Sequence, residues 1–338
     1  MRHGRVVLAT LVTASGFALP NLADARSGTP TVDRPFPALT RAALNERYAE
    51  TRRSIAEDAR AAQTAGDRTT AERLSALASP GRRFLAYGEH QAVEVIGDLA
   101  AARRVAVLVP GADTGPATFD SRGTATPGGG ARAVLAEARR IDPRSGLAVI
   151  AWLGYEPPKT LSLDVATTRR ADRGARSLRR LTGWLNGSPS GTVNASRDGS
   201  VNASVHGSRD GGGTATGQVR ISLLCHSYGS VVCARAAGRV RVADLAVFGS
   251  PGLAVRSARD LHTGAHVWAG RAAGDWMAYV PKVRVLGVGF GADPTSRGFG
   301  ARPFATGDGG HSDYLEPGGV ALRNLALIAL GRGAEVTR

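Results

Sequence analysis

A serine hydroxyl becomes a useful nucleophile when it stands on a tight turn, open to substrate and beside a base. The segment Leu224-Cys225-His226-Ser227-Tyr228-Gly229-Ser230 offers such a serine. Apolar residues lead into it as a buried strand would, and Val231-Val232-Cys233-Ala234 leads out of it as a helix. In a strand–serine–helix turn, the residues two before and two after the serine must be small, because the two backbones nearly touch there. Here they are Cys225 and Gly229, so cysteine stands where glycine is usual. The chemistry expected is acyl transfer through a covalent acyl-serine on Ser227. A serine-glycine turn without function is the alternative, and the apolar lead-in and helical lead-out count against it.

A serine presented this way is followed in the chain by its acid and then by its histidine. Three histidines lie downstream of Ser227. His262 and His266 precede or begin a strand and leave little room for an acid before them. His311, in Gly309-Gly310-His311-Ser312-Asp313-Tyr314, stands in a loop before the last helix and is the expected base. Asp275, in the loop Ala273-Gly274-Asp275-Trp276 after a strand, is the preferred acid. Asp260, Asp293 and Asp308 are the alternatives: the first borders a helix, and the other two sit on glycine-rich loops with no clear strand before them. The developing oxyanion needs two backbone N–H donors. These are expected from Tyr228, directly after the nucleophile, and from Ala112 in Val109-Pro110-Gly111-Ala112-Asp113-Thr114, a stretch that otherwise reads as a plain strand-ending turn.

Other chemistries find no footing. Gly287-Val288-Gly289-Phe290-Gly291-Ala292 has the spacing of a dinucleotide fingerprint, but Asp293-Pro294 follows where a helix is required. No glycine-rich loop ends in Gly-Lys-Ser or Gly-Lys-Thr, and the histidines lack metal spacing such as His-Glu-x-x-His. No metal and no cofactor are therefore expected.

The elements that must position these residues read as alternating strands and helices. Arg104–Val109, Leu147–Leu153, Ile221–Cys225, Val242–Phe248 and His266–Arg271 are strand candidates. Helices are expected over 131–140, 171–185, 229–238 and 321–330. This alternation predicts an α/β fold: a mostly parallel sheet with helices on both faces. Before it, residues 26–38 read as an extended lead-in. Leu44, Tyr48, Ile55 and Ala59 recur at helical steps, Gly66-Asp67 breaks the run, and Thr69-Thr70-Ala71-Glu72 fits a capping box that restarts it. Residues 26–80 are thus expected to form a lead-in and helical hairpin ahead of a domain over 81–334. Within that domain, 186–217 is Gly, Ser, Asn, Thr and Asp, too poor in apolar residues to offset its ordering entropy, and is expected to be a disordered insertion. Asn194 and Asn202 head formal glycosylation sequons there.

Met1-Arg2-His3-Gly4-Arg5 is basic, Val6 to Leu19 is mostly apolar, and Ala23-Asp24-Ala25 supplies small residues. That is the layout of a secretory signal peptide over 1–25, which predicts a secreted or envelope-associated protein. An amphipathic start to a cytoplasmic protein is the alternative. The apolar stretch is too short and too broken by Thr10, Thr13, Ser15 and Gly16 to span a membrane. The formal net charge is +15, almost all of it from arginine, with lysine only at Lys159 and Lys282. The arginines are scattered rather than gathered in a stripe, which argues against a specific nucleic-acid partner. Cys225 and Cys233 are the only cysteines; two small buried thiols are expected rather than a bridge, although export would permit one.

Four segments carry a resemblance: Leu108-Val109-Pro110-Gly111, Cys225 to Ser230, Gly249-Ser250-Pro251-Gly252 and Gly310 to Tyr314. Over roughly 83–331 the chain resembles a family of uncharacterised actinobacterial α/β-hydrolases, distantly similar to cutinases and lipases. The resemblance implies the α/β-hydrolase fold and a Ser227–Asp275–His311 triad, but no substrate. That family's serine turn usually begins with glycine, so Cys225 is a departure. The expected activity is hydrolysis of carboxylic esters, of small molecules or lipids, through an acyl-enzyme. An acyltransferase of the same fold, or a non-catalytic secreted protein that binds an anionic wall polymer, are the rival readings.

Overall fold

The computed structural model describes residues 30–121, 123–187 and 219–338. The leader expected over 1–25 and almost all of the low-complexity insertion, with both sequons, lie outside the described residues.

Eight strands form one sheet in the order β1-β2-β4-β3-β5-β6-β7-β8. They are β1 (Phe84–Gly88), β2 (Gln91–Ile96), β3 (Arg104–Val109), β4 (Leu147–Leu153), β5 (Arg220–His226), β6 (Asp244–Phe248), β7 (His266–Gly270) and β8 (Arg302–Pro303). From β4 to β8 every neighbouring pair is parallel, whereas β1 and β2 add an antiparallel edge. Buried strands alternate their side chains between faces. Val105, Val107 and Val109 of β3 enter one core, Ala106 and Leu108 the other. The first core is closed by α4 (Arg169–Leu185) and α5 (Tyr228–Ala237), through Leu178, Leu181, Val231 and Val232. The second is closed by α3 (Pro127–Ile141) and α6 (Val320–Ala329), through Val134, Leu135, Leu325 and Ile328. Each such fully buried side chain contributes about 1.5–3 kcal/mol relative to exposure. Helix α1 (Arg41–Thr64) spans both layers at the β1 edge: Leu44 and Tyr48 join the first core, Ile55 and Ala59 the second. The shorter α2 (Arg68–Leu77) packs on α1.

This topology creates the site. The chain leaves β3 through α3 to reach β4 on one side, then returns through α4 to β5 on the other side of β3. The carboxyl ends of β3 and β5 therefore open a crevice at a topological switch point, where α/β sheets bind ligands.

Two local expectations are corrected, and a hairpin that the sequence reading passed over is added. The β1–β2 hairpin was hidden because its turn, Glu89-His90, lacks the glycine or asparagine of common two-residue turns. In addition, Glu94 puts a charge inside β2. That carboxylate is buried and paired with Arg82, whose Nη2 is 2.7 Å from Oε2. Helix α2 begins one residue before the proposed capping box: Asp67 is its N-cap, accepting the Thr70 N–H at 3.0 Å. Cys225 and Cys233 are not free thiols but a disulfide, with Cα atoms 6.5 Å apart. Both side chains point into the core between the sheet and α5, so a strand residue and the helix residue two turns past the serine meet there.

Candidate active site

Ser227 stands alone between β5 and α5 with φ 52° and ψ −129°. A non-glycine residue in that region costs on the order of 1–3 kcal/mol and persists only when its surroundings enforce it. The enforcement is visible. Its N–H donates to the Phe248 carbonyl at 3.0 Å, and its carbonyl accepts from the Ser230 N–H at 3.0 Å and the Ser230 hydroxyl at 2.6 Å. Gly229 satisfies the smallness rule: a Cβ there would sit 2.5 Å from the carbonyl oxygens of both Val109 and Pro110.

Three residues chosen from sequence converge. The Ser227 hydroxyl lies 2.9 Å from His311 Nε2. On the far side of the ring, His311 Nδ1 is 2.9 Å from Asp275 Oδ1 and 3.1 Å from Oδ2. This network sets the tautomer, with Nδ1–H donating to the carboxylate and Nε2 accepting from the serine. Asp275 is only 1% exposed. Burial by itself would raise its pKa; the donors on its oxygens outweigh that and hold it at about 2. Besides His311 these are the Tyr314 hydroxyl, 2.5 Å from Oδ2, and the Met277 N–H, 2.8 Å from Oδ1. Asp275 is therefore an anion above about pH 2, able to stabilise an imidazolium.

Two further side chains hold the histidine. His226 Nε2–H donates to the His311 carbonyl at 2.8 Å, and the two rings lie 4.7 Å apart. Desolvation, then the facing His311, push the His226 pKa down to about 3, so His226 stays neutral and does not compete for charge. Gly249, with φ 56°, lies beneath the pair: a Cβ there would stand 3.0 Å from Asp275 Oδ2 and 3.1 Å from His311 Cε1. Sequence reading did not assign roles to Tyr314, His226 or Gly249, although each lies in a segment it quoted.

Acid reinforces this description through linkage. Asp275 lies below its ordinary pKa when folded, so its contribution to stability is complete above the unfolded value near 4 and is lost as pH falls toward 2. His226, held neutral, lets the unfolded chain take up a proton first, so stability also declines from about pH 6.5 down to about 3. Tyr314→Phe should deprive the Asp275 carboxylate of one charged hydrogen bond, raising its pKa and starting acid unfolding at a higher pH. It should also lower kcat about tenfold with little change in KM, since such bonds contribute about 1.5–3 kcal/mol. Unchanged acid unfolding and kcat would remove Tyr314 from the positioning of Asp275.

The donor loop follows β3. A Cβ on Gly111 would be 2.6 Å from Ser227 Cβ and 3.3 Å from the Tyr228 nitrogen, so this loop passes directly over the nucleophile. Ala112 and Tyr228, the two donors expected from sequence, line the same cleft as Ser227. Tyr228 opens α5, where N–H groups have no acceptor within the helix. The loop is tied down by Tyr155, whose hydroxyl donates to the Pro110 carbonyl at 2.9 Å.

The alternatives are placed elsewhere. Asp260 accepts the Ser257 N–H at 2.9 Å and caps a short turn. Asp293 pairs with Arg271 at 2.5 Å, and Asp308 is exposed on its loop. His266 opens β7 at the amino end of the sheet, 3.4 Å from Asp244, while His262 follows the turn that Asp260 caps. Among the described residues, no group of three or more His, Cys, Asp or Glu side chains is arranged to hold a metal ion.

The parallel sheet, the switch-point crevice and a serine at the strand–helix turn define an α/β-hydrolase fold. The chain belongs to the α/β hydrolase family: the profile of a family described as alpha/beta hydrolase matches residues 86–208 and 196–285. It is 29% identical over 278 residues to an uncharacterised protein of Mycobacterium tuberculosis, found in strains H37Rv and CDC 1551; the match covers 73% of this chain and 38% of that protein. The chain thus spans about two fifths of the length of the curated relatives it matches. Among solved structures, it is similar to an α/β serine hydrolase without a lid from Xanthomonas campestris, at 14% identity and a TM-score of 0.42, covering 77% of this chain and 98% of that one. It is also similar to carboxyl esterase 2 from the fungus Tuber melanosporum, at 11% identity and a TM-score of 0.40, covering 75% and 87%.

Proposed function

We propose that this chain is a serine hydrolase that cleaves carboxylic esters through an acyl-enzyme on Ser227. The observation that carries this reading is the unbroken hydrogen-bonded line from Ser227 Oγ through His311 to Asp275. As Oγ attacks the ester carbonyl carbon, His311 Nε2 takes its proton, and the carbonyl oxygen becomes an oxyanion facing the N–H groups of Tyr228 and Ala112. Collapse breaks the bond to the alcohol oxygen, which leaves with the proton from His311. Water then repeats the sequence: it gives a proton to His311, attacks the acyl carbon, and releases the acid as the serine recovers its hydrogen. Nucleophile, base and orienting anion are all side chains of the chain, so this reaction calls for no cofactor.

The cleft beside Ser227 has a volume of about 740 Å³, and Val165, Val280, Val283, Val288 and Phe290 give it an apolar wall. That wall favours esters of apolar acids and brings the chain nearer to the cutinase- and lipase-like reading of its sequence. A fluorophosphonate probe should label the protein once, at Ser227, and Ser227→Ala should abolish labelling. Absence of labelling in folded protein would favour a non-catalytic binder.

Export is the accompanying proposal, supported by the leader composition of residues 1–25 and by a disulfide, a bond that persists in oxidising compartments. Amino-terminal sequencing of protein from culture medium should begin near Arg26; an intact Met1 in a cytoplasmic fraction would refute it.

A further inference from the structure

All the large apolar side chains exposed among the described residues fall in two short segments, 161–163 and 276–288. The chain just beyond each segment joins the other: the Gly289 N–H donates to the Ala166 carbonyl at 2.8 Å. Their side chains differ in their relation to the Ser227 cleft. Trp276, Val283, Val285 and Val288 are partly exposed and line the Ser227 cleft. Leu161, Leu163, Tyr279 and Leu286 stand outside that lining and are 88–101% exposed. Elsewhere among the described residues, large apolar side chains are buried or partly buried. Exposed apolar side chains gathered at one side of a cleft mouth mark an interaction site.

The charges around it indicate the partner. Residues 157–163 and 276–292 contain Lys159, Lys282 and Arg284 and not one Asp or Glu. The two lysines are the only lysines of the chain, and Lys159 and Arg284 are exposed. A second copy of the chain would bring these three cations against three more, in a protein already at +15. An apolar apron edged chiefly with positive charge, its nearest acids Asp113 and Asp164 being held by Thr160 and Arg170, instead matches an anionic lipid surface, where apolar side chains sink to the acyl boundary and cations stay among the headgroups.

We propose that the rim formed by 159–163 and 276–288 docks this protein onto anionic lipid surfaces, with Leu161, Leu163, Tyr279 and Leu286 inserted and the Ser227 cleft facing the lipid. Docking rests on the exposed rim and not on catalysis, so it extends the esterase reading to substrates held in a membrane or lipid aggregate while remaining separately testable.

The test uses the full chain carrying Ser227→Ala, which cannot consume lipid, in co-sedimentation with phosphatidylglycerol vesicles and with phosphatidylcholine vesicles. Tighter binding to phosphatidylglycerol is expected, weakened but not abolished by raising salt. Adding L161S and L286S should weaken that binding roughly a hundredfold, because each inserted leucine contributes about tenfold or more. The same two substitutions in the Ser227 enzyme should leave turnover of a short soluble ester unchanged, since neither side chain lines the cleft. Three results would overturn the proposal: no phosphatidylglycerol binding at low salt, binding indifferent to L161S and L286S, or self-association at micromolar concentration that these substitutions abolish. Vesicle binding without any ester turnover would instead leave the docking surface standing and count against the esterase reading.

Discussion

Replacing Ser227 or His311 with alanine is expected to lower ester turnover by roughly 10⁴-fold or more, and replacing both is expected to cost hardly more than either. The reasoning is geometric. The hydroxyl is 2.9 Å from Nε2, and the ring is held from behind by Asp275, so proton transfer and bond formation belong to one unit. Once that unit is broken, losing a second member removes nothing further, and what remains is binding and the oxyanion donors. Asp275→Asn should cost somewhat less, because Ser227 and His311 keep their places while the imidazolium loses its anion. The measurement is kcat and kcat/KM on a soluble ester for the three single variants and the double. Wild-type turnover by Ser227→Ala would end the mechanism. A harmless Asp275→Asn would reopen the choice of acid among Asp260, Asp293 and Asp308, against the geometry described above.

Gly111→Ala is expected to reduce kcat by about 10²- to 10³-fold, comparable to removing an oxyanion donor. The added methyl would start 2.6 Å from Ser227 Cβ and 3.0 Å from Oγ, closer than folded proteins tolerate. Ser227 cannot yield easily, because Ser230 and Phe248 hold both of its backbone groups. The loop after β3 would have to retreat against the Tyr155–Pro110 hydrogen bond, taking the Ala112 N–H out of line with Tyr228. Gly115→Ala is the control: a Cβ there meets nothing within 4 Å, so turnover should stay within about twofold. Equal activity of the two variants would show that the loop after β3 does not form the oxyanion site.

The parts of this architecture that were legible in the sequence are those dictated by local pattern. Strands β3 and β4 carry uninterrupted apolar runs, from Val105 to Val109 and from Leu147 to Leu153, that end in turn residues, and a strand buried on both faces leaves that signature. Ser227 and Asp275 could be chosen because each follows a strand, and His311 because it stands in the loop before the last helix, with chain order limiting the candidates. What was illegible depends on contacts between distant segments. The β1–β2 hairpin carries Glu94 in its interior, and only the folded positions of Arg82 and Arg132 make that residence tolerable. Tyr314 reads as one more aromatic near a helix until its hydroxyl is found on Asp275, 39 residues away in the chain. His226 is the least visible of all, since its partner is a backbone carbonyl, for which no residue type is diagnostic. The cysteines were misjudged because two residues eight apart, across a strand, a turn and a helix, do not reveal their separation.

That same cysteine pair shows that the two flanks of a nucleophilic serine are not equivalent. On one flank Gly229 faces the carbonyls of Val109 and Pro110, where even a methyl group has no room. On the other, Cys225 turns its side chain away from β3 and into the layer beneath α5, where the sulfur finds Cys233. Bulk is therefore forbidden after the serine and permitted before it, provided the side chain has somewhere to go. A search for serine hydrolases that insists on glycine at both flanks would pass over chains built this way. One that requires glycine only on the helical side, and admits a preceding cysteine when a second follows eight residues later, would retrieve them.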